Sequence, residues 1–152
     1  MTAAAPRQGG LSAAGEEVLR AVVPVVLGPL LPEDPAARAQ ALDDALRALD
    51  DYLVHLSLPL QRQARGLLAA LHLLPARLLL LGTARRWRDA APVRVEAFLR
   101  RARGSRLFLL RRVYEFLHSM TMIAWFDLPV AWAEIGYPGP PIERPLPRGE
   151  RP

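Results

Sequence analysis

"DPAARAQALDDALRALDDYLVHL", residues 34–56, decides the fold class. Asp34 offers a side-chain acceptor for capping a helix, and Pro35 suits the first helical position, where no backbone N–H is needed. Leu42, Leu46, Leu49, Leu53 and Leu56 then recur at intervals of four, three, four and three. That spacing lays them along one stripe of a helix, with Asp43, Asp44, Arg47, Asp50 and Asp51 on the other faces. A helix of this kind buries its stripe against other helices.

The flanking sequence supplies those helices, with proline as punctuation. Ser12 can cap a first helix running to about Leu31, weakened by Pro24 and ended around Gly28 and Pro29. Ser57 and Pro59 open a third, which carries Gln61, Arg62 and Arg65 early and Leu67, Leu68, Leu71 and Leu74 later. Pro75 interrupts it, and Gly82 and Thr83 close its short continuation. Asp89 or Ala91, with Pro92, starts a fourth helix to about Arg103. Gly104 and Ser105 separate that from a fifth, residues 106–126, which is apolar nearly all round from Val113 onward. A helix apolar on every side is either central in the core or covered by a partner. Leu128 and Pro129 allow one more short helix, stopped by Gly136, before Pro138 and Gly139 take the places a type II turn wants. With no internal repeat and no alternating strand pattern, the expected fold is an all-α, single-domain bundle of five or six helices. Residues 1–11 are expected to be a disordered lead-in, 12–137 the helical domain, and 138–152 a Pro/Gly-rich turn and extended tail.

Composition agrees. A chain of 152 residues fits one domain and can bury about two-thirds of its unfolded surface. Hydrophobic residues make up 51% but aromatic ones only 7%, and the dominance of Leu and Ala favours helix over strand. There is no Cys, which excludes disulfides, thiolate catalysis and Cys-ligated metals. All 20 basic residues are Arg, and the net charge is +5. Residues 85–112 hold ten Arg against Asp89 and Glu96, a local +8 that leaves −3 for the remainder. Arg85, Arg86, Arg88, Arg100, Arg101, Arg103 and Arg106 form the candidate basic patch. Such a patch attracts nucleic acid, anionic lipid or an acidic protein face, or is simply the solvated side of two helices. Trp87 within "RRWR" could stack on a base, but it also sits where an amphipathic segment wants a core anchor, and no recognised nucleic-acid motif surrounds it. The apolar run at residues 66–82 is interrupted by His72, Pro75 and Arg77, which argues for a buried, broken helix rather than a membrane span.

Catalytic constellations are missing from the pattern. His55, His72 and His118 lie too far apart in sequence for metal-ligand spacing and have no acid cluster beside them. The pairs Asp43, Asp44 and Asp50, Asp51 are i, i+1 neighbours that do not share a helix face, and their seven-residue repeat places both towards solvent. Scattered single glycines build neither a phosphate loop nor a dinucleotide fingerprint. The expectation is a non-enzymatic chain with no catalytic residue, metal or cofactor of its own. The N-terminal stretch has one Arg, no apolar core and an early Glu pair, so no export signal is visible.

Two of three Trp crowd the stretch "WFDLPVAWAEIGYPGPP" that begins at Trp125. Here an Arg86 and Trp87 pair precedes the helix opened by Pro92, and Ser105 with Arg106 follows that helix. The next long helix ends in Trp125 and Phe126 before Asp127, Leu128 and Pro129. Trp132 and the run Ile135, Gly136, Tyr137, Pro138, Gly139, Pro140 close the succession. Over about 60 residues this order resembles the small-subunit family that includes gluconate 2-dehydrogenase subunit 3, whose members accompany glucose-methanol-choline type FAD-dependent oxidoreductases. The final box is its most specific part; the N-terminal half matches in helical character alone. The resemblance implies a non-catalytic accessory subunit that supports a large flavoprotein dehydrogenase, with FAD in the partner and none in this chain. Trp125, Phe126, Trp132, Tyr137 and Pro138 are then the expected partner-binding residues. The rival expectation is a free-standing basic protein binding nucleic acid or anionic membrane through residues 85–112. Many relatives carry a twin-arginine export signal that is not seen here. The expected location is therefore cytoplasmic, with contact at the membrane face allowed and the periplasm reached only if a partner carries the chain.

Overall fold

The computed structural model describes residues 10–134 and 136–138. Among them are seven α-helices and no strand. The all-α bundle is therefore as the leucine spacing predicts, while the lead-in at residues 1–9, the type II turn at Gly139 and the tail lie outside the described residues.

Helix α1 (Ala13–Leu27) is the axis of the core: Val18, Leu19, Val22, Val23 and Leu27 are all fully buried. Ser12 caps it by accepting from the Gly15 N–H at 3.1 Å. Pro24 is accommodated inside the helix, and α1 stops at Leu27 because Gly28 turns to φ +42 and leads into a 3-10 turn, Gly28–Leu30. Helix α2 (Pro35–His55) is capped as its sequence demands, with Asp34 accepting from the Ala37 N–H at 2.8 Å. Its Leu46, Leu49 and Leu53 are buried; Leu42 and Leu56 pack at the edges of the same stripe. One acid departs from the solvent face assigned to it. Asp50 turns back and accepts from the Leu11 N–H at 2.6 Å, fastening the start of the described chain to α2. The approach is close enough that a Cβ on Gly10 would collide with the Asp50 carboxylate.

The third expected helix is two. α3 (Leu58–His72) and α4 (Leu74–Leu81) meet at an extended Leu73 with a bend of 73°. Pro75 has no N–H to give the Leu71 carbonyl, so the helical ladder must break there. That released carbonyl is not wasted: the Trp87 indole N–H donates to it at 2.8 Å. Trp87, in a short 3-10 turn at Trp87–Asp89, is fully buried and meets the Phe98 ring edge-on at 6.0 Å. It is the core anchor that the amphipathic spacing allowed. Helix α4 departs from the buried helix expected of its sequence. Leu80 and Leu81 are buried, but Leu74, Leu78 and Leu79 face outward, because α4 lies at the edge of the bundle and packs chiefly on α3 and α5. No single described helix is long and apolar enough to cross a membrane.

Helix α5 (Pro92–Arg103) starts after Ala91 rather than Asp89 and buries Val95, Phe98, Leu99 and Ala102. Helix α6 (Phe108–Phe126) begins two residues later than Arg106 and packs on α1, α2 and α5. Its inner face holds Leu117, Thr121, Ala124 and Trp125, and the Thr121 hydroxyl is satisfied by the Leu117 carbonyl at 2.8 Å. Helix α7 (Pro129–Glu134) closes the bundle by burying Ala131.

Candidate functional site

Exposed apolar side chains line one side of α6. An open groove of about 550 Å³ runs between α3 and α6, with Tyr52 and Leu56 of α2 at one side. It exists because α3 packs chiefly on α1, and α6 on α1, α2 and α5, so their facing sides stay apart. Ala64, Val113 and Met120 are buried at its base, while Leu60, Leu109 and Ile123 are exposed at its lips. Arg112, Glu115 and Gln63 supply a polar rim. An apolar centre with a polar margin is the anatomy of a protein-binding surface.

The apolar strip continues past the groove. Phe126 follows Ile123 by three residues, so both lie on one side of α6, and Phe126 is 46% exposed. Trp132 is partly buried and donates its indole N–H to the Phe126 carbonyl at 2.7 Å. Gly136, at φ +67, then ends α7 in a left-handed cap. The Tyr137 N–H reaches the Trp132 carbonyl at 2.9 Å and the Gly136 N–H reaches Ala133 at 3.4 Å, the paired bonds of a Schellman motif. The same motif brings the Tyr137 ring edge-on to Trp132 at 6.0 Å and leaves Tyr137 and Pro138 exposed. Four of the five expected partner-binding residues therefore gather at one end of α6.

Trp125 is the correction. It is 1% exposed and belongs to the core. Trp125 and Phe126 are adjacent on a helix and point about 100° apart, so when one faces α1 the other must face out. The groove residues Leu60, Leu109, Phe116 and Ile123 were not singled out from sequence. A second apolar spacing does mark them: Leu60 and Leu67 are seven apart on α3, beside the core stripe of Ala64, Leu68 and Leu71, and Leu109, Phe116 and Ile123 are seven apart on α6.

The basic patch divides. Arg85, Arg86 and Arg88 precede α5, and Arg100, Arg101, Arg103 and Arg106 follow or end it, about 18 Å away along the helix. Arg101 is committed to structure, donating to the Leu80 carbonyl while Arg94 donates to Leu81 at 3.1 Å; together they neutralise the C-terminal end of α4. The pairs Arg88 with Asp89 and Arg100 with Glu96 are exposed and 3.7 Å long, so they contribute little. With Trp87 buried, the patch has no access to the aromatic platform that could have stacked on a base.

The histidines are dispersed. His55 Nδ1 meets the Asp51 carbonyl at 2.7 Å and His118 lies against Tyr114. His72 pairs with Glu17 at 3.2 Å, joining the end of α3 to α1. Burial works to raise the Glu17 carboxyl. The His72 hydrogen bond, the Arg88 backbone and the charges of both residues outweigh it and hold the carboxyl below the usual glutamate range. No group of three or more His, Asp or Glu among the described residues is placed to hold a metal ion. No protein-family model, curated protein or solved structure matches the chain.

Proposed function

We propose that this chain is a non-catalytic accessory subunit that assembles with, and stabilises, a large flavin-dependent alcohol or sugar dehydrogenase. The observation that carries the proposal is the outward face of α6. In a helix that is apolar nearly all round from Val113 onward, Ile123 and Phe126 remain exposed, with Leu109 a few turns earlier, beside a groove that nothing among the described residues fills. Covering such a face removes apolar area from water, the main driving force of association. The class of partner comes from the resemblance of residues 85–141 to the subunit 3 family, and FAD belongs to that partner.

The partner contributes an apolar helix or loop to the groove, and the exposed edges of Phe126 and Tyr137 extend the contact. A stable pairing buries about 800 Å² on each side. Its energy would be concentrated in a few large side chains, here Phe126, Trp132 and Tyr137 with Ile123 and Leu60. Co-expression with a flavoprotein dehydrogenase of this type from the same genome should raise that enzyme's soluble, flavin-loaded yield several-fold. Equal yield with and without this chain, with no co-purification, contradicts the proposal.

A further inference from the structure

We propose that the corner between α5 and α6 is a lipid-binding site, at which this protein inserts Leu107, Phe108 and Leu109 into the headgroup boundary of an anionic membrane. These three consecutive residues are 65%, 65% and 72% exposed. Leu107 is the extended residue just before α6, and Phe108 and Leu109 open the helix about 100° apart, so one of them would ordinarily turn inward. Neither does; Leu110 and Val113 make the inward contact instead. A run of three exposed large apolar residues has no role in the fold of the chain alone.

The corner is built to hold them outward. The Gly104 N–H donates to the Arg100 carbonyl at 3.2 Å, Ser105 to Ala102 at 3.3 Å, and the Ser105 hydroxyl accepts from the Leu107 N–H at 3.0 Å. Charge selects the occupant. Residues 97–114 contain six arginines and no acid. Arg103, Arg106 and Arg111 make no ion pair among the described residues, and Arg112 lies over the Phe108 ring at 5.4 Å. Arginines whose stems lie along apolar side chains and whose guanidinium groups reach outward suit a lipid interface, with tails below and phosphates above. Nucleic acid offers nothing to cover two leucines, and an acidic protein face offers nothing to receive three apolar side chains. Leu109 and Arg112 also line the groove, so the two contacts adjoin there; Leu107 and Phe108 do not, and the double variant at those two residues separates this contact from that of the proposed dehydrogenase partner.

Flotation of the full chain with phosphatidylcholine vesicles, with and without phosphatidylglycerol, tests it. The chain should float with the anionic vesicles, weakly with the zwitterionic ones, and less as salt rises. The double variant Leu107→Ser, Phe108→Ser should cut binding about tenfold, and Arg103→Gln with Arg106→Gln about fivefold for each charge removed. Circular dichroism identical to the unmodified chain shows that these exposed substitutions leave the fold intact. Equal flotation with both vesicle types, flotation unchanged by the double variant, or preferential binding of duplex DNA would overturn the proposal.

Discussion

The two faces of α6 both carry large apolar side chains and meet opposite fates. On one, Leu117, Thr121, Ala124 and Trp125 are packed to the exclusion of water against α1, α2 and α5. On the other, Leu109, Ile123 and Phe126 stand against solvent beside an open groove. The difference lies partly in the residues, since Arg112, Glu115 and Ser119 share the outer side, and partly in what the remaining helices cover. α3 packs chiefly on α1, and no other described helix covers the outer side. The comparison teaches that the inner face makes the fold and the outer face is available for a partner.

The sharpest way to break that contrast is to remove one residue from each side. Trp125→Ala should lower unfolding stability by about 3–5 kcal/mol through lost burial and a residual cavity. Ile123→Ser, two residues away, should change it by no more than about 0.5 kcal/mol. Equal losses in urea denaturation would mean that the two faces are not distinct. A smaller effect tests the coupling between the helix break and the core. Trp87→Phe keeps most of the ring but leaves the Leu71 carbonyl, already without its helical donor, unpaired. It should cost about 1–3 kcal/mol, whereas a loss below that range would mean that the carbonyl finds another donor.

Smaller again is the dependence on pH. The folded-state Glu17 carboxyl lies below its usual value, near 4.5, so its pairing stabilises the fold above that pH and is lost as pH falls through the folded value. Unfolding midpoints of the native chain should therefore drop on acidification below about pH 4.5 more steeply than those of Glu17→Gln. Parallel curves would show that the pair does not distinguish folded from unfolded chain. Mutation of the outer face should leave this acid limb untouched, because Glu17 and His72 join α1 to α3 on the inner side.

Most of the helix ends were legible because their causes are local. Ser12, Asp34, Gly82 and Gly136 act within a turn of themselves, and Pro75 must break a ladder wherever it falls. The bundle, the α2 stripe and the burial of Trp87 followed from spacing. The orientation of α6 was marked only in part: Arg112, Glu115 and Ser119 indicate the outer side, but Ile123 and Phe126 continue it with no polar signal. For the same reason the adjacent Trp125 and Phe126 both read as surface anchors, although their divergent directions commit one to the core. Asp50 was misplaced because its partner, the Leu11 N–H, is 39 residues away in sequence. The arginines were legible as a group, but their division to either end of α5 needed the helix to be laid out in space.

The central claim is that the outer face of α6 receives a flavoprotein. The most direct measurement is affinity purification of the tagged full-length chain from its own cells, with flavin quantified in the eluate beside Ile123→Arg and Leu60→Arg variants. A large subunit carrying about one flavin per tagged chain, lost in both variants while their folding is unchanged, is the predicted result. An eluate without flavin, or one in which both arginine variants retain it, would contradict the account.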